Sequence, residues 1–489
     1  MNNSPLYQAA ANLAAQTLAF TDRDLDQPWS WGPHDEGVRF AFLGSYQELR
    51  ELAVSLRQAR YAAGQPPTTA QHILAQHHAT YRDLQAVLLG VTDELYSQAP
   101  SPNDWPLRYV LGHVVGAERH FFTLVHYGLA RHLANDGRSP RLPDGETDKV
   151  VGAYADFRAI MDGQGVTAML AFYDVLHQRM LAEFAGMSEA ALAAPSIWWE
   201  EQEFPLAHRL HRFDAHARQH IIHAEKTLDA LGQPPTEVQR LLRQVYQALA
   251  EAEGQLIGAP EIGLAEQMAL AEKITGRAAE VAALVQDARA LLAAVKTNDL
   301  DLIHVVLQAN PTLVNARDQN GLSAVMVAAY HGQREVLDVL LEKGAALSIF
   351  EGAATGREAA VRAALEEWPG WLNEYSVDGF TPLQMACFFG HEAVALLLIA
   401  QGADVNAVAR HEFGIRPVHA AAANGHHAIL RALLDHGADV NARQQHDFTP
   451  LHEAYRRGDE AMVQLLLAYG ADPTLKDDQG RVPPAMANA

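Results

Sequence analysis

Apolar residues recur at three- and four-residue steps along most of the chain, the spacing of amphipathic helices. Leu6, Ala10, Leu13 and Thr17 mark a first stripe, and Phe42, Tyr46, Leu49, Ala53 and Leu56 a second. The turn-rich stretch DQPWSWGPHDEG separates them, and Gly64-Gln65-Pro66-Pro67 ends the segment. A helix is expected from Thr68 or Thr69, either of which can cap it, to about Gly90, with Ile73, His77, Thr80, Leu84 and Leu88 inward. A second runs from Leu107 to Leu133, a short one lies near Ala153–Met161, and a third long one spans Val166 to Phe184. The last falls between His208 and Gly232, where Gly232 and Pro234 supply the stop. Four long amphipathic helices joined by loops predict an up-and-down bundle. Residues 233–286 hold further helices and read as a connector that also caps the C-terminal part.

The C-terminal part repeats itself. Units begin at Gly379, Gly414 and Asp447, 35 and 33 residues apart, and each closes on Gly-Ala-Asp. Degraded copies precede them, one opening near Ser348 directly into its first helix, giving six units across about 287–489. Period, Gly-His turn and the run Thr449-Pro450-Leu451-His452-Glu453-Ala454 resemble the ankyrin repeat. That resemblance implies stacked helix pairs sharing one elongated core, and a protein partner bound at hairpin tips such as Arg410, His411, Glu412, Gln444, Gln445 and His446. His419 and His452 occupy the signature position, His391 and His426 the Gly-His turn, and all four are expected to be structural. Cys387 reads as a packing residue.

Composition narrows the function. At 489 residues the chain exceeds one core, and a formal charge of −22 without clustered Lys or Arg excludes a nucleic-acid partner. One cysteine rules out an intrachain disulfide and a cysteine-rich zinc site. The N-terminus has no basic region followed by an apolar run, and no window is long and apolar enough to span a membrane, so a cytoplasmic protein is expected.

Histidine carries the candidate chemistry. Of the five histidines at 208, 211, 216, 220 and 223, only His216, His220 and His223 share a stripe with Phe213 and Thr227. A pair at i and i+4 presents two imidazoles to one metal ion. In the second bundle helix Val110, His113, Ala117 and His120 share a face, so His113 is either a third ligand or a hydrogen-bonded core histidine.

The pattern Trp105-x4-Val110-Leu111-x-His113-x4-Glu118-Arg119-x-Phe121, followed by His216-x3-His220, resembles the DinB-like family of metal-binding four-helix bundles over residues 70–232. The resemblance implies that His113, His216 and His220 hold a divalent ion with water in the remaining positions. It also implies a low-molecular-weight thiol such as bacillithiol or mycothiol, since members include thiol transferases and maleylpyruvate isomerases. Related ergothioneine sulfoxide synthases carry an acidic residue two positions after the second histidine, where this chain has Ile222. His223 and His77 are additional stripe histidines without a place in that pattern. Three imidazoles without a thiolate suit Zn, Ni, Fe or Co. Trp198 and Trp199, just before the ligand helix, form either an apolar substrate wall or a hydrophobic plug.

The expected layout is all-α: a helical segment over 1–69, a DinB-like bundle over 70–232, a connector over 233–286 and ankyrin repeats over 287–489. Two functions remain open at this point: a metal-dependent thiol S-transferase or hydrolase that recruits a protein partner, or an interaction scaffold without catalysis.

Overall fold

In a computed structural model the described residues, 4–135 and 137–484, are almost entirely helical. They divide into two units, 1–284 and 285–489. The first contains α1 (Pro5–Thr17), α2 (Arg39–Ala62), α3 (Thr69–Val87), α4 (Asp93–Ser97), α5 (Leu107–Ala134) and α6 (Glu146–Val151). It continues with α7 (Tyr154–Gly163), α8 (Val166–Phe184), α9 (Glu189–Leu192), α10 (Leu206–Ala230) and α11 (Glu237–Gly254). A further helix, α12 (Leu264–Thr297), reaches past residue 284. Two short strands, β1 (Pro195–Ile197) and β2 (Glu203–Pro205), pair antiparallel ahead of α10.

The long helices form where the periodicity predicts them. Thr68 caps α3 in a capping box with Gln71, and Gly232, at φ +72°, follows the end of α10. Helices α3, α5, α8 and α10 make the bundle, with α10 packed on both α3 and α5. The segments read from sequence as flanking pieces are layered onto it: α11 lies against α3 and α2, and α1 packs on α11.

The bundle core holds two apolar clusters. One gathers Phe121, Phe122, Phe184 and Phe213; the other gathers Tyr81, Val110, Met169, Tyr173 and Ala217. Along α3, α5 and α8, residues between the two sets are polar and buried: His77 and His78, Glu118, and His177. A belt of charge therefore crosses the core, and it extends to α11. Arg82 Nε and Nη2 donate to Glu253 Oε2 and Oε1 at 2.7 and 2.9 Å, with both side chains fully buried. His78 Nε2 donates to the same carboxylate at 2.9 Å, and Ser4 Oγ donates to it at 3.1 Å. Because a carboxylate only accepts, His78 carries its proton on Nε2, so His177 Nε2 donates to His78 Nδ1 at 2.9 Å.

Burial dominates the ionisation of this belt. It pushes the His78 imidazole down and His177 well down, keeping both neutral. Glu253 is also buried, yet the Arg82 guanidinium and the His78 hydrogen bond lower it to about 2.

The second unit stacks helix pairs. Complete examples are Pro382–Phe389 with Glu392–Ala400, Pro417–Asn424 with His427–Asp435, and Pro450–Arg457 with Glu460–Ala468. One core runs through them. His419 Nε2 donates to Ala442 O at 3.0 Å while its Nδ1 accepts from Arg416 N at 3.1 Å. His452 likewise bonds Thr449 N and Arg481 O. His391 Nε2 donates to Ala354 O at 2.9 Å and His426 Nε2 to Phe388 O at 3.3 Å, each reaching back to the preceding repeat. Cys387 is fully buried with its thiol pushed far above the usual range, and acts as packing.

The belt predicts acid lability of the first unit. His78 and His177 have folded-state pKa values below the unfolded value of about 6.5, so below that pH the unfolded chain binds more protons. Glu253 has the same sign, its contribution present above about 4.5 and lost as pH falls towards 2. Urea unfolding should show stability at its full value above about pH 6.5 and declining steadily as pH drops. Glu253→Ala leaves Arg82 buried without its counter-ion and should cost the first unit about 3–5 kcal/mol at neutral pH. A loss below about 1 kcal/mol would mean water replaces the carboxylate without penalty.

Candidate metal centre

Two helices build the site. His113 stands on α5 in the second turn after Pro106, and His216 and His220 stand one turn apart on antiparallel α10. Their rings meet with centroids 5.1 Å apart for His113 and His216, 4.7 Å for His113 and His220, and 4.6 Å for His216 and His220. One nitrogen from each lies within 4.8 Å of the others, and this is the one such histidine, cysteine or carboxylate group among the described residues. His113 is exposed, His216 half-buried and His220 buried, so the trio opens to one side.

Spacing and protonation state both fit a metal ion. Nε2 of His113 and Nε2 of His216 lie 3.2 Å apart, close to the roughly 3.0–3.4 Å between imidazole nitrogens that share an ion at about 2.0–2.1 Å. The Nδ1 atoms of His216 and His220 are buried and have no hydrogen-bond partner. Burial and the neighbouring imidazoles push both rings to about 4, and burial lowers His113 as well. All three are neutral at pH 7, the form that offers a lone pair.

The other candidates fall elsewhere. His223 is half-buried, its ring 6.0 Å from that of His220 and stacked on Trp105 at 5.8 Å, beside the trio and not within it. His77 belongs to the core belt, its Nε2 3.4 Å from Glu118 Oε2 and its ring 5.3 Å from Phe213. His77 does point inward as its stripe position requires, but α3 turns that stripe towards α8 and α5 at the centre of the bundle.

Trp198 packs edge-on against Phe121 at 5.4 Å and stacks on His120 at 5.9 Å. Trp199 is 71% exposed at the tip of the β1–β2 turn. Arg209, buried, holds that turn by donating to Glu200 at 2.7 Å and to Ser196 at 3.1 Å. The wall beside His113 comes from other residues: Trp105, Tyr109, Tyr154, Phe157 and Met161, with Gly112, Gly116 and Ala117 of α5 completing the lining. The groove they line has a volume of about 460 Å³. Trp105 stood in the sequence motif, but α7, which closes the groove, gave no signal beyond its own short periodicity.

The DinB superfamily model matches residues 76–224, which span all three histidines and all four bundle helices. This bundle is a DinB-superfamily domain. Ankyrin-repeat models match residues 291–409 and 406–477, so the second unit is an ankyrin array. A segment of 124 residues is 27% identical to Target of rapamycin complex 2 subunit AVO2 of Saccharomyces cerevisiae. That match covers 23% of this chain and 29% of the yeast protein, so the chain spans under a third of the relative. Helices α1, α2 and α11 lie outside the DinB match, although α11 supplies the carboxylate of the domain's core belt.

The burial argument predicts the titration of the metal-free chain. In imidazole NMR, His216 and His220 should stay neutral through pH 6 and titrate near 4, as should His419 in the array. Midpoints near 6.5 for the pair would mean that water reaches both rings freely.

Proposed function

We propose that the DinB-superfamily domain is a divalent-metal-dependent enzyme, a thiol S-transferase or hydrolase acting on a small molecule, and that the ankyrin array binds a protein partner. The observation that carries this reading is the neutral imidazole trio, whose exposed side adjoins a groove. Three nitrogen ligands on an open face are the arrangement of catalytic sites, whereas structural sites enclose the ion with four. Zn, Ni, Fe and Co all suit the donors.

His113, His216 and His220 would hold the ion. When bound, it supplies the Lewis acidity that makes a coordinated thiol or water nucleophilic near neutral pH. A thiol would have to be a small molecule such as bacillithiol or mycothiol, because Cys387 is fully buried in the repeat core. His120 is suited to hold a proton. Its Nδ1 donates to Gly116 O at 2.8 Å, so the neutral ring carries its lone pair on Nε2, and the residue lines the groove two turns along α5 from His113. Phe121 and Phe213 close the inner side against water, Phe121 edge-on to His216 at 5.9 Å.

The array supplies recruitment. Arg410, His411, Glu412, Gln445 and His446 are exposed and Gln444 half-buried, on loops whose backbone is tied between repeats, as by Arg410 N donating to Gly379 O at 2.8 Å. The yeast relative is by name a subunit of a complex, in keeping with a role in assembly.

Metal analysis decides the first half. Purified wild type should retain about one divalent ion per chain, and the His216→Ala/His220→Ala variant none, while His223→Ala retains most of it. Because the apo rings titrate near 4, metal should persist on acidification below pH 6, where ordinary imidazoles would release it. Metal-loaded protein offered bacillithiol, mycothiol, glutathione or coenzyme A with a generic electrophile should form thioether. No metal-dependent rate with any thiol, and no ester or amide hydrolysis, would leave the interaction scaffold. For the array, alanine at the six tip residues should abolish partner capture without lowering thermal stability; unchanged capture would remove the tips from recognition.

A further inference from the structure

The groove beside His113 has more definition than an open metal face requires. Trp105 is 44% exposed, Tyr109 43% and Tyr154 49%. Single exposed aromatic side chains are ordinary on a protein surface, but three around one groove that contains a candidate ligand histidine are not. Each ring has an intramolecular neighbour, Trp105 with His223, Tyr109 with Arg108 and Tyr154 with Arg119, yet close to half of each remains exposed. Trp105 lies 5.5 Å from the His113 ring, joining the aromatic wall to the trio.

Two glycines let the buried side chains of α7 lie flat on α5. A Cβ on Gly112 would lie 2.2 Å from Met161 Sδ, so α7 lies directly on the α5 backbone there. At Gly116 the nearest atom to such a Cβ is Phe157 Cε1 at 3.5 Å. A shallow slot with aromatic sides and a base of Ala117, Phe157 and Met161 fits a planar ring, and its volume of about 460 Å³ falls among small-molecule sites.

Charge gives the polarity of the occupant. The chain carries a formal charge of −22, yet among the described lining residues the one formal charge is Arg158, and no carboxylate lines the groove. Arg158 Nη2 pairs with Asp162 at 2.8 Å, a half-exposed i,i+4 pair of the kind that contributes little. Its fork can therefore turn to a ligand carboxylate, which it matches in shape. A cationic ligand would meet Arg158 before its partner Asp162, which is not among the lining residues.

We propose that this groove binds a small aromatic carboxylate, the second substrate of the reaction at the histidine trio. The role as substrate rests on the metal-site reading above; the binding itself does not, since walls, floor and cation are all protein.

The test is calorimetric titration of the full chain with 2-naphthoate, in metal-loaded and chelator-treated form, beside 2-naphthamide and cyclohexanecarboxylate. Naphthoate should bind both forms. The amide and the non-aromatic acid should each bind about tenfold more weakly. Trp105→Ala and Tyr154→Ala should each weaken naphthoate about fivefold to tenfold. Arg158→Gln should remove the preference for naphthoate over the amide and leave amide affinity unchanged. Ala117→Leu, which fills the floor, should abolish binding, with circular dichroism reporting an intact fold. Naphthoate binding confined to the metal-loaded form and indifferent to Arg158→Gln would place the carboxylate on the metal and overturn the groove assignment. Binding indifferent to Trp105→Ala and Ala117→Leu would overturn it too. If no preparation holds metal but the chelator-treated series behaves as expected, the metal reading fails and the groove stands.

Discussion

The position of the site depends on one buried ion pair, Arg82 with Glu253. Both side chains are fully buried, and the pair joins α3 to α11, helices 171 residues apart at these positions. Moving either charge out of water costs several kcal/mol, and only close, fully hydrogen-bonded geometry offsets that. Here the offset is complete around the carboxylate: Arg82 gives two hydrogen bonds, His78 a third and Ser4 a fourth, while the Tyr7 ring covers the guanidinium at 4.2 Å. A shift of α3 along its axis by one turn would strand both charges. The pair therefore sets the register of α3, and α3 carries His77 and His78 into the belt against Glu118 of α5 and His177 of α8. Five residues before Glu118 on α5 stands His113. The candidate metal site is thus indexed by a residue outside the family-matched segment.

Histidines serve opposite ends in this protein, and the difference is in what each ring nitrogen meets. In the array, His419 and His452 have both nitrogens engaged by backbone or cap atoms, which fixes tautomer and orientation and leaves nothing for a ligand. In the belt, His78 is spent in the same way between Glu253 and His177. In the trio, the buried Nδ1 atoms of His216 and His220 have no partner, and the two facing Nε2 atoms of His113 and His216 have mainly each other. Buried imidazole nitrogens without acceptors cost free energy that the fold does not recover internally. A cation cannot accept from an N–H, so the convergence of three ring nitrogens, and not the orphaned Nδ1 atoms, is what favours an ion. His77 is the near case: both its nitrogens are also without partners, but its closest carboxylate is Glu118, and no third donor converges with them at ligand distance.

Much of this was readable from residue spacing. The i,i+4 pair on α10 shares one face because helical periodicity requires it, and the repeat period with its Gly-Ala-Asp endings specifies an array whatever its details. What spacing does not carry is which of several faces meets which. His77 satisfied the inward stripe, yet the rotation of α3 about its axis, set by Arg82, directs it to the centre of the bundle. No spacing singles out Glu253 in the connector, and its burial follows only from α11 docking on α3. Trp198 and Trp199 were adjacent to the ligand helix in sequence, but the strand pair and Arg209 direct Trp199 to solvent, while Trp105, 111 residues before His216, reaches the site from the start of α5.

The gradient of exposure across the trio constrains what it can do. His220 is 8% exposed, His216 is half-buried and His113 is open, so one flank faces the apolar cluster of Ala217, Ile221 and Val110 and the other faces Trp105. The groove between α5 and α7 adjoins the open flank of the trio at His113. A reactant in that groove would lie between Trp105 and Tyr154, over Ala117, Phe157 and Met161, with Arg158 as the one formal charge among the lining residues. On the proposed reading, selectivity would reside in α7, a short helix lying directly on α5 at Gly112, more than in the histidines themselves. Changing the residues of α7 would alter which molecules reach the trio while leaving its donors in place.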